Sequence, residues 1–494
     1  MYLGIDLGTS EVKVLLIDEQ QTIVASAHAM LAISRPQPQW SEQDPAHWWQ
    51  ATQQAMATLL RSHPIQLSAL RAIGLSGQMH GAVLLDAAGK VLRPAILWND
   101  VRSSVECIEL ERRVPQSRAI TGNLAMPGFT APKLLWVARH EPQLFDRIAM
   151  VLLPKDYLRY LLTGEFISDM SDASGTLWLD VQQRDWSDAM LDACALQRAQ
   201  MPRLVEGAAP GGFLKPELAQ AWGIEREVVI AGGAGDNAAS AIGMGVVAQG
   251  DGFISLGTSG VFFAANDAYR PAAEQGLHTF CHALPQRWHQ MGVMLSAASC
   301  LRWVTQLTHA DDEAALLREV EALGTAARTR APLFLPYLSG ERTPHNDPDA
   351  SGVWFGLRHD TDRALLAYSV LEGVAFGVRD SYQALRAASA AEDRMGASGA
   401  LALVGGGSRS HYWAQLLASA LDLPLALHDG AQVGAALGAA RLAILAANPQ
   451  RAIVDVCYAP PVHAVIEPDT HWHAVLLPRF ERYQALYGCL KPLF

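Results

Sequence analysis

The tetrapeptide Leu-Gly-Thr-Ser occurs twice in this chain, as Leu7-Gly8-Thr9-Ser10 and, about half the chain later, as Leu256-Gly257-Thr258-Ser259. Apolar stretches flank both copies: residues 2–6 and 12–18 for the first, residues 252–255 and 261–265 for the second. Two apolar strands joined by a Gly-Thr-Ser turn form a β-hairpin whose tip exposes backbone N–H groups and hydroxyls. Because such donors bind phosphate, the repeat predicts two lobes that hold one polyphosphate from opposite sides.

The bulk composition limits the kind of protein this is. With 494 residues the chain is too long for one hydrophobic core, so two domains are expected. A net charge of −11 argues against nucleic acid or an anionic membrane surface as the main partner. We expect no membrane span and no secretory signal. The six cysteines contain no Cys-x-x-Cys pair, which favours free thiols in a reducing cytoplasm.

Strand-like and helical stretches alternate along the chain, which predicts an α/β fold. Residues 103–163 have a mostly helical pattern, and residues 422–445 predict a strand, a glycine loop and a last helix. No low-complexity linker separates the halves, so we expect a shared interface with a hinge near residues 244–252. We place the N-terminal lobe at residues 1–246 and the C-terminal lobe at residues 247–494.

Asp6 lies at the end of the first strand, two residues before the first phosphate-binding turn. A carboxylate in this position would repel phosphate unless a cation lay between them. Mg²⁺ prefers carboxylate, water and phosphate oxygens, so Asp6 is a candidate Mg²⁺ ligand and catalytic residue. The alternative is a surface Asp that closes a turn; the second copy of the turn favours the functional interpretation.

Asp236 follows a strand and begins a helix in Gly232-Gly233-Ala234-Gly235-Asp236-Asn237. The glycines leave room for a substrate beside its carboxylate. In phosphoryl transfer an Asp in this position orients an alcohol and accepts its proton. An ordinary helix N-cap is the alternative, and for an isolated Asp it would be preferred.

Polar side chains follow two other predicted strands, where open α/β sheets bind ligands. Gln78, Met79 and His80 follow one strand, and Trp98-Asn99-Asp100 follows the other. Amide, imidazole and carboxylate groups beside an aromatic ring suit a polyol. The candidate sugar contacts are therefore Gln78, Met79, His80, Trp98 and Asp100. Taken alone, His80 is more often a hydrogen-bonded structural residue.

Gly405-Gly406-Gly407 lies between a predicted strand and a helix. A backbone without side chains there can approach a flat neutral group such as adenine, although a tight strand-to-helix turn is an equal alternative. The chain has no Walker A sequence and no protein-kinase catalytic loop, so an ATP site must be of another type.

Together, the two Leu-Gly-Thr-Ser turns and the three glycines resemble the actin-like ATPase superfamily. Within it, the chain resembles the FGGY carbohydrate kinases from end to end. Residues 128–140 fit the first signature of that family and residues 352–372 fit the second, except for Leu365, where a polar residue is usual. Residues 76–81, 98–102 and 338–345 resemble the D-xylulose kinases of the family, whereas glycerol kinases have Arg-Glu in place of Met79-His80.

This resemblance implies two ribonuclease H-like lobes with an active site in the interlobe cleft. It implies ATP and Mg²⁺ as cofactors, a small sugar as substrate, and transfer to the 5-hydroxyl of D-xylulose. It further implies Asp236 as base, Asp6 near Mg²⁺, and Met79, His80 and Asn237 on the sugar. The turns Gly8-Thr9-Ser10 and Gly257-Thr258-Ser259 would bind phosphates, and Gly405-Gly406-Gly407 would lie beside the adenosine.

Two other functions remain open from the sequence. One is phosphorylation of a different polyol, such as ribulose, gluconate or glycerol. The other is a non-catalytic, nucleotide-gated protein like actin; the sugar-kinase signatures and the Asp236 loop argue against it. Whether the chain is a monomer or a homodimer is not decided by the sequence.

Overall fold

Two seven-stranded mixed sheets, one in each half, organise the computed structural model, which describes residues 1–389, 399–429 and 434–494. The strands of the first half are β1 (Tyr2–Leu7), β2 (Glu11–Ile17), β3 (Ile23–Met30), β4 (Glu42–Gln43), β5 (Ala72–Gly77), β6 (Val83–Leu85), β7 (Ala95–Ile96), β8 (Met150–Leu152), β9 (Ile167–Asp169), β10 (Leu179–Asp180), β11 (Asp185–Trp186), β12 (Arg203–Val205), β13 (Pro210–Phe213), β14 (Val229–Ala231) and β15 (Ala234–Gly235). The helices of this half are α1 (Pro45–Ser62), α2 (Pro64–Ser68), α3 (Ser104–Arg113), α4 (Ser117–Thr121), α5 (Thr130–His140), α6 (Pro142–Phe145), α7 (Pro154–Thr163), α8 (Met170–Ser174), α9 (Asp188–Ala193), α10 (Pro216–Ala221) and α11 (Asp236–Met244).

The second half has fewer strands and longer helices. Its strands are β16 (Gly252–Leu256), β17 (Gly260–Asn266), β18 (His278–Cys281), β19 (Trp288–Met294), β20 (Leu333–Leu335), β21 (Val353–Phe355), β22 (Leu401–Val404), β23 (Leu425–His428) and β24 (Val462–Ile466). Its helices are α12 (Ala298–Leu307), α13 (Glu313–Glu321), α14 (Thr325–Arg328), α15 (Arg363–Ala388), α16 (His411–Leu421), α17 (Gly434–Ala447), α18 (Ile453–Val456) and α19 (Thr470–Leu490). The glycine loop predicted within residues 422–445 includes residues 430–433, which lie outside the described residues.

The two sheets repeat one strand order. Each begins with an antiparallel meander, β1–β2–β3 in the first half and β16–β17–β19 in the second. On the other side of the first meander strand come two strands parallel to it, which are β5 and β14 in the first half and β22 and β23 in the second. An antiparallel strand ends each sheet on this side, β13 in the first half and β24 in the second. The prediction of an α/β fold with two ribonuclease H-like lobes is confirmed.

The central hairpin of each sheet carries one Leu-Gly-Thr-Ser turn, as predicted. In the first hairpin Asp6 pairs with Lys13 across the strands, and Asp6 also lies beside Ser76 on the parallel strand β5. The strand β1 is buried because it lies between two neighbours, and Leu3, Ile5 and Leu7 are fully buried. The catalytic candidate Asp6 is therefore fixed by a rigid central strand.

Helix α17 belongs to the second half of the sequence but packs on β1, β5 and α11 of the first half. The backbones approach closely: a Cβ at Gly74 would lie 1.8 Å from the carbonyl oxygen of Ala439, and a Cβ at Gly438 would lie 1.8 Å from that of Ala239. The buried Arg441 donates to the carbonyl oxygens of Ile242 and Gly243, at 2.9 Å each. The two halves thus share a packed interface, and the lobe boundary at residues 246/247 stays a prediction.

Two findings bear on compartment and partners. All six cysteines are free, and five of them are buried. Among residues 1–389, 399–429 and 434–494, no helix combines the length and the apolar character needed to cross a membrane.

Candidate active site

A cavity of about 820 Å³ lies between the two halves of the molecule. Both halves contribute to its lining, which includes Asp6, Lys13 and Asn237 from the first and Ser255, Gly405 and Gly406 from the second. The cavity therefore connects the first hairpin with the strand that leads into the second turn. None of the described lining residues belongs to the two Gly-Thr-Ser turns, so the joint binding of one polyphosphate by both turns stays a prediction.

The tips of the two hairpins keep backbone donors free. In the first turn the N–H of Gly8 donates to Glu11, and in the second the N–H of Gly257 donates to Ser259. In the described part of the chain, the N–H groups of the two Thr-Ser pairs, Thr9-Ser10 and Thr258-Ser259, donate to no residue. These are the donors that a phosphate would need.

Asp6 lines the cavity with one oxygen already engaged. The hydroxyl of Ser76 donates to its Oδ1 at 3.0 Å, and Oδ2 accepts no hydrogen bond from any residue that the structure describes. Burial raises the pKa of Asp6, while Ser76 and the positive charge of Lys13 oppose that rise. A free carboxylate oxygen beside a turn with unused backbone donors fits a hydrated Mg²⁺ ion.

Asp236 is the first residue of α11, after the short strand β15. Its Oδ1 accepts hydrogen bonds from the backbone N–H and the side-chain amide of Asn237, at 2.7 and 3.0 Å. Its Oδ2 accepts none from the described residues. Burial and, secondly, the negative charge of Asp6 raise the pKa of Asp236 to about 6. A carboxylate with this pKa is ionised at neutral pH and is a stronger proton acceptor than an ordinary Asp.

His80 presents a neutral imidazole with one nitrogen free. Its Nδ1 lies 2.6 Å from the carbonyl oxygen of Gly175, and because a carbonyl only accepts, Nδ1 carries the proton and Nε2 is an acceptor. Burial lowers the pKa of His80 to about 3, so the ring stays neutral. The backbone has a φ of 71°, and its carbonyl oxygen accepts from Thr130 at 3.1 Å and Lys133 at 2.9 Å.

Aromatic rings from both halves surround His80. The Phe129 ring is 4.7 Å from the imidazole and the Phe280 ring of β18 is 6.3 Å away. His278 stacks on Phe280 at 5.5 Å, and Nη1 of Arg342 lies 3.1 Å from Nε2 of His278. The sequence analysis did not single out these four residues. Phe129 and Arg342 lie in stretches that resembled the family, but no motif marked β18.

Three other candidates form one hydrogen-bond chain inside the first half. Trp98 Nε1 donates to Thr9 Oγ1 at 3.0 Å, Thr9 Oγ1 donates to Gln78 Oε1 at 3.1 Å, and Gln78 Nε2 donates to Gln43 Oε1 at 3.0 Å. Gln78 is buried, so these contacts hold the first turn against the loops behind it. Its contact with a sugar stays a prediction.

Asp100 is also engaged within the protein. It accepts hydrogen bonds from the backbone N–H of Ser41 at 2.6 Å and from Arg102 Nε and Nη2 at 2.8 and 2.6 Å. Both oxygens are used and the side chain is buried, so the structure assigns Asp100 an ion pair. Its predicted sugar contact is untested.

The glycine run Gly405-Gly406-Gly407 lies against Leu256, the first residue of the second Leu-Gly-Thr-Ser sequence. Gly405 has a φ of 93°, and a Cβ there would lie 2.7 Å from the carbonyl oxygen of Leu256. Gly406 lines the cavity and has no atom near the position of a Cβ. His428 and Asp429, at the end of β23, line the same part of the cavity. Their place at a strand end was the only signal the sequence offered for them.

Comparison with known proteins agrees with this geometry. Residues 1–243 match the N-terminal domain of the FGGY family of carbohydrate kinases and residues 252–447 match its C-terminal domain. The chain is 53% identical to a xylulose kinase of Escherichia coli strain K12 and 50% identical to one of Klebsiella pneumoniae, over 100% of each chain in both comparisons. A crystal structure from Brucella ovis described as a xyloylose kinase superposes with a TM-score of 0.96 at 53% identity, covering 100% of both chains.

Proposed function

Because the chain belongs to the FGGY family of carbohydrate kinases, we propose that it transfers the γ-phosphoryl group of ATP to the 5-hydroxyl of D-xylulose. The products are D-xylulose 5-phosphate and ADP. The observation that carries the proposal is the position of Asp236. Asp236 is near enough to Asp6, which lines the cavity, for the charge of Asp6 to raise its pKa, and its neighbour Asn237 lines the cavity as well. A Cβ on the preceding Gly235 would be 2.8 Å from Met79 Cγ, next to His80. The base is thus adjacent to both the nucleotide end and the sugar end.

The nucleotide end is supported by free donors. The backbone N–H groups of Thr9-Ser10 and Thr258-Ser259 would bind phosphate oxygens from two sides. The adenosine would lie along Gly405 and Gly406, where the absence of side chains leaves room for a flat ring. Lys13 lines the same cavity and adds positive charge near the phosphates.

The residues present also fit Mg²⁺. Asp6 offers a free oxygen at the cavity. Burial and, secondly, the negative charge of Asp6 raise the pKa of Asp236, and a divalent cation bound to Asp6 would reduce the effect of that charge. When bound, Mg²⁺ neutralises charge on the phosphate oxygens. Asp6 would hold it, directly or through a water molecule.

The sugar end offers one acceptor of fixed orientation. His80 Nε2 would accept a hydrogen bond from a sugar hydroxyl, because Nδ1 is committed to Gly175. The amide of Asn237 holds Asp236 and also lines the cavity. Phe129 and Phe280 would cover the apolar faces of the sugar and exclude water, which otherwise competes as the phosphoryl acceptor.

Transfer requires one bond to form and one to break. The 5-oxygen of the sugar forms a bond to the γ-phosphorus, while the bond from that phosphorus to the β–γ bridging oxygen of ATP breaks. The proton of the 5-hydroxyl passes to Oδ2 of Asp236 as the new bond forms. Catalysis is then mostly positioning and charge neutralisation.

An acceptor screen tests this function. ADP release is measured with Mg·ATP and D-xylulose, D-ribulose, gluconate or glycerol, and the product is identified by ³¹P NMR. We expect D-xylulose to have the highest kcat/KM of the four acceptors, and we expect its product to carry the phosphate on the 5-oxygen. A higher kcat/KM with another acceptor would replace the substrate assignment. If none of the acceptors gives ADP release, the kinase assignment is wrong. Since all six cysteines are free, we place the reaction in the cytoplasm.

A further inference from the structure

The short helix α8 contacts both parts of the candidate site although no residue of it lines the cavity. At its start, Ser171 Oγ lies 3.1 Å from the backbone nitrogen of Gly235, in the loop of residues 232–236 that ends in Asp236 (the base loop). Just past its end, the carbonyl oxygen of Gly175 accepts the His80 Nδ1 hydrogen bond. One five-residue element therefore touches the supports of the proposed base and of the proposed sugar ligand.

The direction of the Ser171 contacts is fixed by its neighbour. Its hydroxyl donates to Asp169 Oδ2 at 2.5 Å, since a carboxylate can only accept. The oxygen of Ser171 is then left to accept the N–H of Gly235. Asp169 Oδ2 also accepts the backbone N–H of Ser171 at 2.8 Å, which holds the start of α8.

Asp169 is in turn held by a buried charge. Lys155 Nζ lies 2.7 Å from Asp169 Oδ1, 2.5 Å from Asp156 Oδ1 and 3.1 Å from Asp172 Oδ2, and all four side chains are fully buried. Burial raises the pKa of Asp172 well above its usual value, and the charges of Asp156 and Asp169 add to that rise while Lys155 opposes it. The buried Arg159 lies at the edge of the same cluster, with its Nη1 3.9 Å from Asp156 Oδ1. Such a cluster is costly to disturb.

Arg159 provides a second contact with the base loop, because its Nη2 donates to the carbonyl oxygen of Gly232. The loop is also tightly packed. A Cβ at Gly233 would lie 2.4 Å from the carbonyl oxygen of Leu75, and a Cβ at Gly235 would lie 2.8 Å from Met79 Cγ. The loop therefore occupies a narrow slot whose inner side is the buried charge cluster.

We propose that Lys155, Asp169 and Ser171 are positioning residues that fix the base loop, and with it the carboxylate of Asp236, for phosphoryl transfer. The proposal rests on the proposed function, in which Asp236 is the base. The three residues act through Gly235 and contact neither sugar nor nucleotide. Ser171 is the last link, because its oxygen is the acceptor for Gly235.

Ser171→Ala and Ser168→Ala form a matched pair that tests the proposal. Both serines are fully buried, and both donate to an Asp that binds Lys155: Ser168 donates to Asp156 Oδ2 at 2.6 Å. Each substitution removes one buried hydroxyl from the same cluster, but among the described residues the Ser168 hydroxyl has no hydrogen bond to the base loop. Three quantities are measured for both variants. They are the steady-state kinetics with the acceptor that the unmodified protein prefers, the hydrogen exchange of the peptide spanning residues 232–237, and Tm.

We expect Ser171→Ala to lower kcat about tenfold or more, since misplacement of a reacting group by a fraction of an ångström lowers the rate this much. The KM values for sugar and ATP should stay within about twofold, and the 232–237 peptide should exchange faster. Ser168→Ala should lower Tm and leave kcat and that exchange unchanged.

Equal kcat and equal hydrogen exchange in the two variants would overturn the proposal. It would also be overturned if both variants lost kcat in proportion to their loss of Tm. The exchange measurement needs no turnover, so it still decides whether Ser171 holds Gly235 if D-xylulose is not the acceptor. Faster exchange with normal kcat would remove the positioning role.

Discussion

At the scale of single residues, Asp236 combines a free carboxylate oxygen with a raised pKa. Replacement of Asp236 by Asn tests the importance of both properties. Asp236→Asn keeps the shape of the side chain but cannot accept a proton. We expect kcat to fall about 10³-fold, within the range for loss of a general base. The dissociation constant for D-xylulose, measured by calorimetry, should change less than about threefold.

The exposed Asp192 provides the control for that substitution. Asp192→Asn makes the same chemical change outside the cavity and should leave kcat unaltered. Turnover of Asp236→Asn within tenfold of the unmodified protein would remove Asp236 from the role of base.

The pH dependence of activity follows from the same carboxylate. Only the ionised form accepts a proton, and burial together with Asp6 raises the pKa of Asp236 to about 6. We therefore expect kcat/KM to be constant above pH 7 and to fall about tenfold per pH unit below about pH 6. His80 adds no step in this range because burial lowers its pKa to about 3. A pH–rate profile that is flat down to pH 5 would contradict the assignment.

The residues that could be predicted from the sequence were those fixed by local pattern. Asp6 lies near the end of β1 and Asp236 directly follows β15, each beside glycines, and in the structure the charge of Asp6 raises the pKa of Asp236. The partners of Thr9 and Gln78 were not predictable, because Gln43 comes from the short strand β4, 34 or 35 residues away, and its position depends on tertiary packing. Their hydroxyl and amide groups are used inside the protein, which a motif does not reveal.

At the scale of elements, helix α17 depends on glycine where backbones meet. A Cβ at Gly74 would lie 1.8 Å from the carbonyl oxygen of Ala439, and backbone atoms there cannot move without separating β5 from α17. We expect Gly74→Ala to lower the free energy of unfolding by about 3 kcal/mol or more, above the usual cost of overpacking. Thermal and urea denaturation measure the change.

Gly488 is the matched control for Gly74. It is exposed near the end of helix α19, and a Cβ there would meet no atom within 4 Å. Gly488→Ala should be neutral or should stabilise by about 0.5–1 kcal/mol, the usual gain in a helix interior. If both variants unfold alike, the close contact between α17 and the first sheet is not a determinant of stability.

Among the elements, the hairpins were predictable and the packing of the helices was not. The apolar stretches on both sides of Leu7-Gly8-Thr9-Ser10, joined by a Gly-Thr-Ser turn, specify a hairpin locally. Residues 103–163 read as mostly helical, but they include β8, a three-residue strand that pairs with β6. Such a short apolar run has no period of its own. The Ala- and Gly-rich sequence of α17 gave no indication that it would pack on the other half of the chain.

At the scale of the whole molecule, both ends of the cleft are built from both halves. The cavity that we propose for the nucleotide joins Asp6 to Gly405, and the proposed sugar end joins His80 to Phe280. A ligand that draws the two halves together at one end lowers the free-energy cost of closing the cleft when a second ligand binds at the other end. The two substrates should therefore bind with positive coupling.

We expect D-xylulose to tighten the binding of a non-hydrolysable ATP analogue by about fivefold or more, and the analogue to tighten D-xylulose by the same factor, since coupling free energies are reciprocal. Calorimetric titrations of each ligand with and without the other measure both factors. Phe280→Ala removes a ring of the second half from the sugar end without touching the nucleotide cavity. It should bring both factors toward one while the affinity for the analogue alone stays unchanged. Independent binding in the unmodified protein would mean that the two halves do not move toward each other when either substrate binds.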